Sequence, residues 1–471
     1  MRVLVLESST TSAKAMLYQT ENDSYQYKVK PYPKMPGPGT VHDAGVVFNT
    51  TVELGREVAR DEQVDMIALG GVWHTVMLCN QELRPVSPVY LWTNQAPAEL
   101  CARLRLDHEL VQDYYRRTGC MINATYPYFQ LLYLKERQDL SNVYIMGQGS
   151  YMTYRLTGER VETACMASGS GMLNIHDRVW DEFLLGKLGV RTEQLGKIVA
   201  YDKAYPLNGE GAGLLGLQPG IPVIPANSDG GLNQIGAAAM EAQTMTFSVG
   251  TSGAMRLVAN HPVLPKEPSI WCYLTPKSWL SGVATAGCCN CIDWFRENIA
   301  EGKSYLDLEM KATVKSVDDP LVFLPFLFGE RCPGWDDKRM GGFEGLQQQH
   351  TIGDMYLAMQ EGILFNLYHG YQKLCQALGE PQTIKLSGGI LHSERWKQMC
   401  ADIFAKDMEI DMIPHGSLLG GAVLAMELLG ILDDITDYRS PQKEIIRPDK
   451  ARAGFYQKKY QRYLEYYHRC K

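Results

Sequence analysis

Short apolar runs separated by small polar turns open the chain and return near its middle. Residues 3–6 are apolar, 8–13 form a small polar segment, and 14–19 resume a strand pattern, which predicts a hairpin with a hydroxyl-rich tip. The same pattern occupies 245–258, where the turn at 250–253 separates two further strand-like runs. The two units are too far apart for a solenoid, so we expect two related domains that each open with this hairpin.

Strand-like and helix-like patterns alternate through the rest of the chain, which is typical of an α/β protein. A chain of 471 residues exceeds the size of one hydrophobic core, so we place domains at 1–240 and 241–471, with a cleft between them. A connector at 433–453 leads to an aromatic-rich helix that ends near Cys470. Periodicity predicts strands at 66–70 and 89–92 and helices at 96–106, 131–138, 354–377, 395–404 and 420–429.

Charge and cysteine usage narrow the range of partners. The 46 Lys and Arg against 53 Asp and Glu give a net charge of −7, which disfavours nucleic acid as a partner. No apolar run approaches the length of a membrane span or a signal peptide, so we expect a cytoplasmic protein with no membrane partner. The 12 cysteines are scattered, which favours reduced thiols, and the cluster at 288–291 has no second cluster nearby to complete a zinc site.

Both hairpin tips carry residues suited to phosphate. Small side chains let backbone N–H groups approach phosphate oxygens, and hydroxyl groups add donors. Such turns also close many hairpins that bind nothing, but their recurrence at the head of each half predicts a clamp on one nucleotide from opposite domains. The residues are Thr10, Thr11 and Ser12 in the first turn and Gly250, Thr251 and Ser252 in the second.

Further candidate residues follow predicted strands. Asp229 lies where a strand pattern passes into a helix pattern, a place for a helix N-cap or for a carboxylate that accepts a hydroxyl proton. Gly388 and Gly389 end another strand pattern and suit the base or ribose of a nucleotide. His74 follows the strand predicted at 66–70 and either bonds a polyol or serves as a structural histidine.

Two longer stretches carry a resemblance to a known family. Residues 323–336 read FLPFLFGERCPGWD, and residues 342–346 read GFEGL, with Glu361 and Gly362 further on. Together with the two hairpins, they resemble the FGGY carbohydrate kinases of the actin-like ATPase superfamily over essentially the whole chain. The resemblance implies two actin-like, ribonuclease H-like domains with an interdomain catalytic cleft. It also implies transfer of a phosphoryl group from ATP, with Mg²⁺, to a hydroxyl of a sugar or sugar acid.

The resemblance also assigns roles to single residues. It implies that Asp229 is the catalytic base, that the two hairpin turns bind phosphates, and that Gly388 and Gly389 bind adenosine. Glu7 stands where the family has a magnesium-facing Asp, so Glu7 and Asp229 are the expected metal ligands. Because Glu7 is a longer acid and Ser9 fills a position usually held by Gly, a catalytically impaired nucleotide sensor is the second functional hypothesis.

The substrate follows from the branch of the family. Segments at 118–120, 154–159 and 174–176 look like those of gluconate kinases, which makes gluconate the first expected substrate. Xylulose kinases carry a His at the position of His74, so xylulose is the alternative. A homodimer is left open as the state of assembly.

The expected sugar pocket departs from the family in two places. Trp73 adds a bulky ring next to His74, and we expect its indole to stack on the sugar while His74, Asn94 and Asp229 hold the hydroxyls. Related kinases carry an Asp at the position of Asn94 and an Arg at that of Ala96. The loss of that Arg removes the natural partner of a substrate carboxylate.

Overall fold

The computed structural model describes residues 1–35, 39–314, 316–411, 415–440 and 443–469. The strands, numbered in chain order, are β1 (Arg2–Ser8), β2 (Ser12–Gln19), β3 (Ser24–Pro31), β4 (Val41–His42), β5 (Met66–Gly71), β6 (Met77–Cys79), β7 (Val89–Tyr90), β8 (Tyr144–Met146), β9 (Val161–Thr163), β10 (Leu173–Asn174), β11 (Val179–Trp180), β12 (Lys197–Val199), β13 (Tyr205–Pro206), β14 (Pro222–Ser228), β15 (Thr244–Val249), β16 (Gly253–Ala259), β17 (Trp271–Leu274), β18 (Trp279–Thr285), β19 (Val322–Leu324), β20 (Gly342–Glu344), β21 (Thr383–Ser387), β22 (Met408–Asp411) and β23 (Lys443–Ile446).

The α-helices are α1 (Ala44–Val58), α2 (Ala98–Leu104), α3 (His108–Thr118), α4 (Pro127–Lys135), α5 (Gln148–Thr157), α6 (Ala164–Ser168), α7 (Glu182–Leu188), α8 (Gly209–Leu215), α9 (Asp229–Gly236), α10 (Cys289–Asn298), α11 (Tyr305–Lys311), α12 (Ile352–Leu378), α13 (Glu394–Phe404), α14 (Gly416–Leu428) and α15 (Lys450–Arg469). Short 3-10 turns lie at Thr192–Gln194, Gly389–His392 and Ile435–Asp437. No helix among the described residues is long and apolar enough to cross a membrane.

Each half of the chain builds one large sheet, and the two sheets share a strand order. The first runs β13-β14-β5-β1-β2-β3, and the second contains β23-β22-β21-β15-β16-β18, with β17 added at its edge. In both, the opening hairpin and the strand after it are antiparallel, whereas the next two strands run parallel to the first. The two predicted hairpins and the two-domain α/β architecture are therefore confirmed. The division at residue 240 stays a prediction.

Helices cover both faces of the first sheet. A Cβ added at Gly55 of α1 would meet Leu6, and one added at Gly421 of α14 would meet Val5. Because Val5 and Leu6 are consecutive in β1, they point to opposite faces, so α1 and α14 pack on opposite sides of this sheet. Helix α14 belongs to the second half of the chain and therefore joins the two halves.

Helices α9 and α14 cross at glycines. A Cβ at Gly236 would collide with the carbonyl oxygen of Gly416, and a Cβ at Gly420 would collide with that of Leu232. The two backbones can approach this closely only because these positions have no side chain. Helix α9 follows β14 and α14 follows β22, and these two strands hold equivalent places in their sheets, so the crossing couples the ends of β14 and β22.

Several predicted boundaries differ from the structure. Helix α4 begins at Pro127, four positions before the predicted start, because proline suits the first turn of a helix. The segment expected to be a plain connector at 433–453 contains the edge strand β23 and the start of α15. That helix is described as far as Arg469, so its predicted end near Cys470 lies outside the described residues.

Candidate active site

A cavity of about 1160 Å³ lies between the two halves of the molecule. From the first half it is lined by Thr10, Thr11 and Trp92, and from the second by Thr251, Asn290 and Arg331, among others. The predicted cleft is thus present, and both hairpin turns face it. A cavity of this size accommodates a nucleotide together with a small substrate.

The two turns have similar local structure. In the first, the Ser9 N–H donates to the Ser12 carbonyl oxygen at 3.1 Å, and in the second the Gly250 N–H donates to that of Ser252 at 3.0 Å. Thr11 and Thr251 are exposed at the two tips, whereas Ser12 is buried at the start of its strand. Thr11 and Thr251 are therefore the most exposed members of the predicted phosphate set, and both line the cavity together with Thr10.

The Gly-Gly loop lies directly against the second turn. A Cβ at Gly388 would lie 2.5 Å from the Val249 carbonyl oxygen, and Gly388 has a φ of +98°, so a residue with a side chain would be strained and obstructed there. Gly389 lies beside Cys289. The predicted nucleotide residues of the second half are thus brought together.

The start of helix α10 is hydrogen-bonded to the turn at 250–253. Its first backbone N–H, from Cys289, donates to the Gly250 carbonyl oxygen at 2.9 Å. Cys288 and Cys291 are buried, and no group of three metal-binding side chains occurs in the part of the chain that the structure describes. The cysteine cluster is therefore packing around the turn.

Glu7 is buried at the end of β1 and pairs with Lys14. The hairpin register sets the two residues opposite each other, and Lys14 Nζ lies 2.7 Å from Glu7 Oε1, which also accepts from the Ser9 hydroxyl. Burial opposes ionisation of Glu7, but Lys14, together with the hydroxyls of Ser417 and Ser9, outweighs it and holds the pKa of the carboxyl below its usual value. Glu7 Oε2 is buried without a hydrogen-bond partner among the described residues, which leaves one oxygen for a ligand.

Asp229 is the first residue of α9, but it does not cap that helix. Ser228 is the N-cap, since its Oγ accepts from the Gly231 N–H at 2.9 Å, while Asp229 Oδ1 accepts, among the described residues, only from its neighbour Gly230 at 2.7 Å. Burial, together with the negative charge of Glu7, raises the pKa of Asp229 to about 6. A carboxylate that has this pKa and does not cap the helix is suited to general base catalysis.

His74 is a neutral imidazole that lies next to Trp73, close to the start of α9. Burial, with the nearby charge of Arg331, lowers the pKa of His74 to about 3. Its Nδ1 lies 2.5 Å from the Gly169 carbonyl oxygen, and only a protonated Nδ1 can bond there, so Nε2 is left as an acceptor. The residue has a φ of +62°, a conformation that non-glycine residues adopt rarely and often at functional sites.

Trp73 is buried beside the first turn of α9. It is 5% exposed, its Nε1 donates to the Cys165 carbonyl oxygen at 2.8 Å, and its ring fills the space beside Gly169 and Gly230. A ring covered in this way supports the backbone around Asp229, so its burial does not favour the expected stacking on a sugar.

Asn94 is also mostly covered. Its side chain donates to the Thr40 hydroxyl at 3.3 Å and accepts from the Ala96 N–H at 3.0 Å, while its neighbours Thr93 and Gln95 line the cavity. Asn94 thus shapes the loop, and a direct bond from it to a substrate stays a prediction.

The structure adds residues that the sequence analysis did not single out. Lys14 could have been found from the hairpin register, which sets it across from Glu7. Arg256 is a charged residue inside an otherwise apolar strand, a pattern visible in the sequence. Tyr126 and Tyr273, whose hydroxyls lie 2.7 Å apart, come from distant segments and left no such signal.

Comparison with known proteins supports the same assignment. The N-terminal domain model of the FGGY family of carbohydrate kinases matches residues 2–236, and the C-terminal domain model matches residues 245–428. The gluconokinase of Bacillus subtilis (strain 168) is 28% identical over 460 residues, which cover 92% of this chain and 88% of that protein.

Solved structures agree with this match. A gluconate kinase from Lactobacillus acidophilus superposes with a TM-score of 0.91 at 28% identity, over 99% of this chain and 98% of that one. A ligand-bound xylulose kinase from the same organism gives a TM-score of 0.91 at 27% identity, with the same coverage. The chain therefore belongs to the FGGY family of carbohydrate kinases and is a sugar kinase, for which ATP is the implied phosphoryl donor.

Proposed function

We propose that this kinase phosphorylates a hydroxyl of a sugar acid, with gluconate as the preferred substrate and Asp229 as the base. The observation that carries the proposal is the state of Asp229, a carboxylate with a pKa near 6 that no capping bond occupies. It lies within electrostatic reach of Lys14, whose hairpin ends in the exposed Thr11.

In the proposed reaction, the oxygen of the substrate hydroxyl bonds to the γ-phosphorus of ATP, and Asp229 accepts the proton of that hydroxyl. The bond between that phosphorus and the β,γ-bridging oxygen breaks, and ADP leaves with that oxygen. The proton on Asp229 passes to solvent when the product departs. His74 Nε2 accepts from a second hydroxyl and so fixes the orientation of the sugar.

The nucleotide would lie between the two hairpin turns. Thr11 and Thr251 offer hydroxyl groups from opposite domains, and Gly388 and Gly389 leave room for the adenosine next to the second turn. Lys14 adds a positive charge close to Asp229. We place the γ-phosphate near Lys14 because that charge can oppose the negative charge that develops during transfer.

Magnesium is part of this proposal, with Glu7 and Asp229 as its protein ligands. Mg²⁺ usually takes one or two carboxylates together with phosphates and water, and the unpartnered Glu7 Oε2 fits that need. When bound, the ion neutralises phosphate charge. Lys14 already holds Glu7 Oε1, so Glu7 has one oxygen to offer.

Glu7→Ala is expected to raise the magnesium concentration needed for half-maximal turnover by about tenfold, because one carboxylate of the site is lost. Turnover measured against magnesium concentration at saturating ATP tests this. Glu62→Ala, which removes an acid from a half-buried pair with Arg2, is the control. An unchanged magnesium dependence in Glu7→Ala would limit Glu7 to its ion pair with Lys14.

The branch likeness favours gluconate, since gluconokinase and gluconate kinase are among the most similar relatives and structures. A xylulose kinase is the second candidate, because the ligand-bound xylulose kinase superposes equally well. A panel of gluconate, other aldonates, xylulose, glycerol and erythritol with ADP detection separates them. Gluconate should give the highest kcat/KM; xylulose alone would support the second candidate, and no turnover would support a nucleotide sensor.

A homodimer stays a prediction. Light scattering on the purified protein, with and without ATP and gluconate, measures the mass directly. A mass of one chain under all conditions would contradict it.

A further inference from the structure

One face of the second sheet carries a cation among aromatic rings. Arg256 in β16 is registered with Gly282 in β18, and Gly282 with Trp271 in β17, so all three point to the same side. Tyr273 shares that side because it lies two residues after Trp271, and the two rings stack with centroids 4.2 Å apart. Arg256 is the charged member of this group.

This face meets the residues proposed to hold the sugar. The Tyr273 hydroxyl lies 2.7 Å from that of Tyr126, and the Tyr273 ring lies 5.5 Å from His74. Arg256 is close enough to Asp229 for each charge to stabilise the other. Arg256 therefore lies, from the second domain, near Asp229 and near the group of rings around His74.

Arg331 reaches the same place from another segment. Its neighbour Cys332 donates a backbone bond to the Ala284 carbonyl oxygen in β18 at 3.0 Å, which anchors the segment beside the sheet. Arg331 lines the cavity, lies 6.0 Å from the centroid of the Trp92 ring, and opposes a positive charge on His74. Arg256 and Arg331 also repel each other.

Neither arginine has a full set of partners. The Nε atoms of Arg256 and Arg331 are buried without a hydrogen-bond partner, and neither residue forms a salt bridge with a carboxylate among the described residues. Asp229 is the carboxylate that interacts with Arg256, and it also interacts with Lys14, whose own salt bridge is with Glu7. Buried cations are costly unless an anion joins them, which indicates a missing anionic group.

We propose that Arg256 and Arg331 bind the carboxylate of an aldonate substrate. This inference rests on the proposed function and adds the source of its acid specificity. Related kinases carry an Arg at the position of Ala96 in the first domain. In this chain, the guanidinium groups of Arg256 and Arg331 supply the positive charge from the second domain instead. Guanidinium and carboxylate groups form paired charge-assisted hydrogen bonds, which a neutral sugar cannot match.

The test compares gluconate with gluconamide, in which a neutral amide replaces the carboxylate and the hydroxyls are unchanged. We expect wild-type kcat/KM to favour gluconate by about 10- to 100-fold. Arg256→Met should reduce this preference to within a few fold, mainly through a higher KM for gluconate, and Arg256→Lys should keep part of it. Arg331→Met should act in the same direction, and Arg60→Met, which removes an exposed charge after α1, should leave the preference unchanged.

Each outcome has a separate meaning. Equal losses on both compounds in Arg256→Met, with a shifted pH profile, would make Arg256 a positioning residue for Asp229 and would overturn the inference. A wild-type enzyme that uses gluconate and gluconamide equally well would also overturn it while leaving the kinase proposal intact. Turnover of xylulose but of no aldonate would overturn both the inference and the gluconate assignment. Thermal melting and ATP binding of each variant show that it is folded.

Discussion

Asp229→Asn is expected to lower sugar-dependent turnover by about 10²- to 10⁴-fold and to leave ATP affinity close to that of the wild type. The amide has the same shape, and its oxygen can still accept from the Gly230 N–H, but it cannot take a proton from the substrate. Steady-state rates with ADP detection, together with calorimetric titration of ATP, measure the two effects. Near wild-type turnover would leave Asp229 with a local structural role only.

The pH dependence provides a control on the same residue. A base works only when deprotonated, so the wild-type rate should be high above pH 6 and should fall by up to about tenfold per unit as the pH drops through the pKa of about 6. The residual rate of Asp229→Asn should lose this dependence. Because the folded-state pKa is raised, the carboxyl favours folding only while it is protonated, and this contribution is lost as pH rises through about 6. At pH 8 the variant should therefore melt no lower than the wild type.

The architecture could be predicted because its signals are local. The hairpins show as short strand-like runs joined by small polar residues, and the turn at Thr11 and the turn at Thr251 repeat each other. Asp229 was found for the same reason, since the change from strand to helix is visible in the sequence around it. Which residue caps the helix was not visible, because Ser228 and Asp229 are both good caps and only backbone geometry separates them.

The substrate end of the site could not be predicted in full, because tertiary packing decides it. The surroundings of Arg256 depend on two strand pairings, with Gly282 and then Trp271, and on the contacts that Tyr273 makes with Tyr126 and His74 from the other half of the chain. Nothing in the local sequence specifies that convergence.

The orientation of the Trp73 ring is a second feature that the sequence does not show. An aromatic residue next to a site histidine suggests a sugar platform, but strand β5 is buried along its whole length, so alternation could not show which way the indole points. The ring fits where Gly169 and Gly230 leave space. The two glycines are visible in the sequence, and a glycine allows a large ring to pack directly against the backbone. The sequence does not show, however, that they lie next to Trp73.

A second large effect is expected from Glu330, which lies at the rim of the cleft. Its carboxylate is buried and accepts from Arg339 Nη1 at 2.6 Å, from the Tyr467 hydroxyl at 2.5 Å and from the Gly334 N–H at 3.1 Å. The Arg339 guanidinium lies against both the Phe326 and the Tyr467 ring, 4.3 and 3.9 Å from their centroids, and also donates to the Tyr467 carbonyl oxygen. The last helix is therefore tied to the segment that carries Arg331.

Glu330→Gln should lower the free energy of unfolding by about 3–5 kcal/mol, because it leaves the Arg339 charge buried without its anionic partner. Tyr467→Phe removes one hydroxyl bond and should cost about 1–3 kcal/mol. Denaturant unfolding followed by fluorescence and circular dichroism measures both, provided that the two probes coincide. Glu99→Gln is the matched control, because it breaks an exposed pair with Lys338 and should change the free energy of unfolding by at most about 1 kcal/mol.

The double variant Glu330→Gln with Arg339→Met distinguishes charge pairing from simple packing. If the cost of Glu330→Gln comes from an uncompensated guanidinium, removing that guanidinium as well should recover part of the lost stability, and the two single effects should not add. Additive losses would instead show that each side chain contributes through its own packing. Because the Glu330 segment leads directly into Arg331, we expect Glu330→Gln to raise the KM for gluconate more than the KM for ATP. An equal rise in the two KM values would instead show that Glu330→Gln disturbs the nucleotide end and the sugar end of the cleft alike.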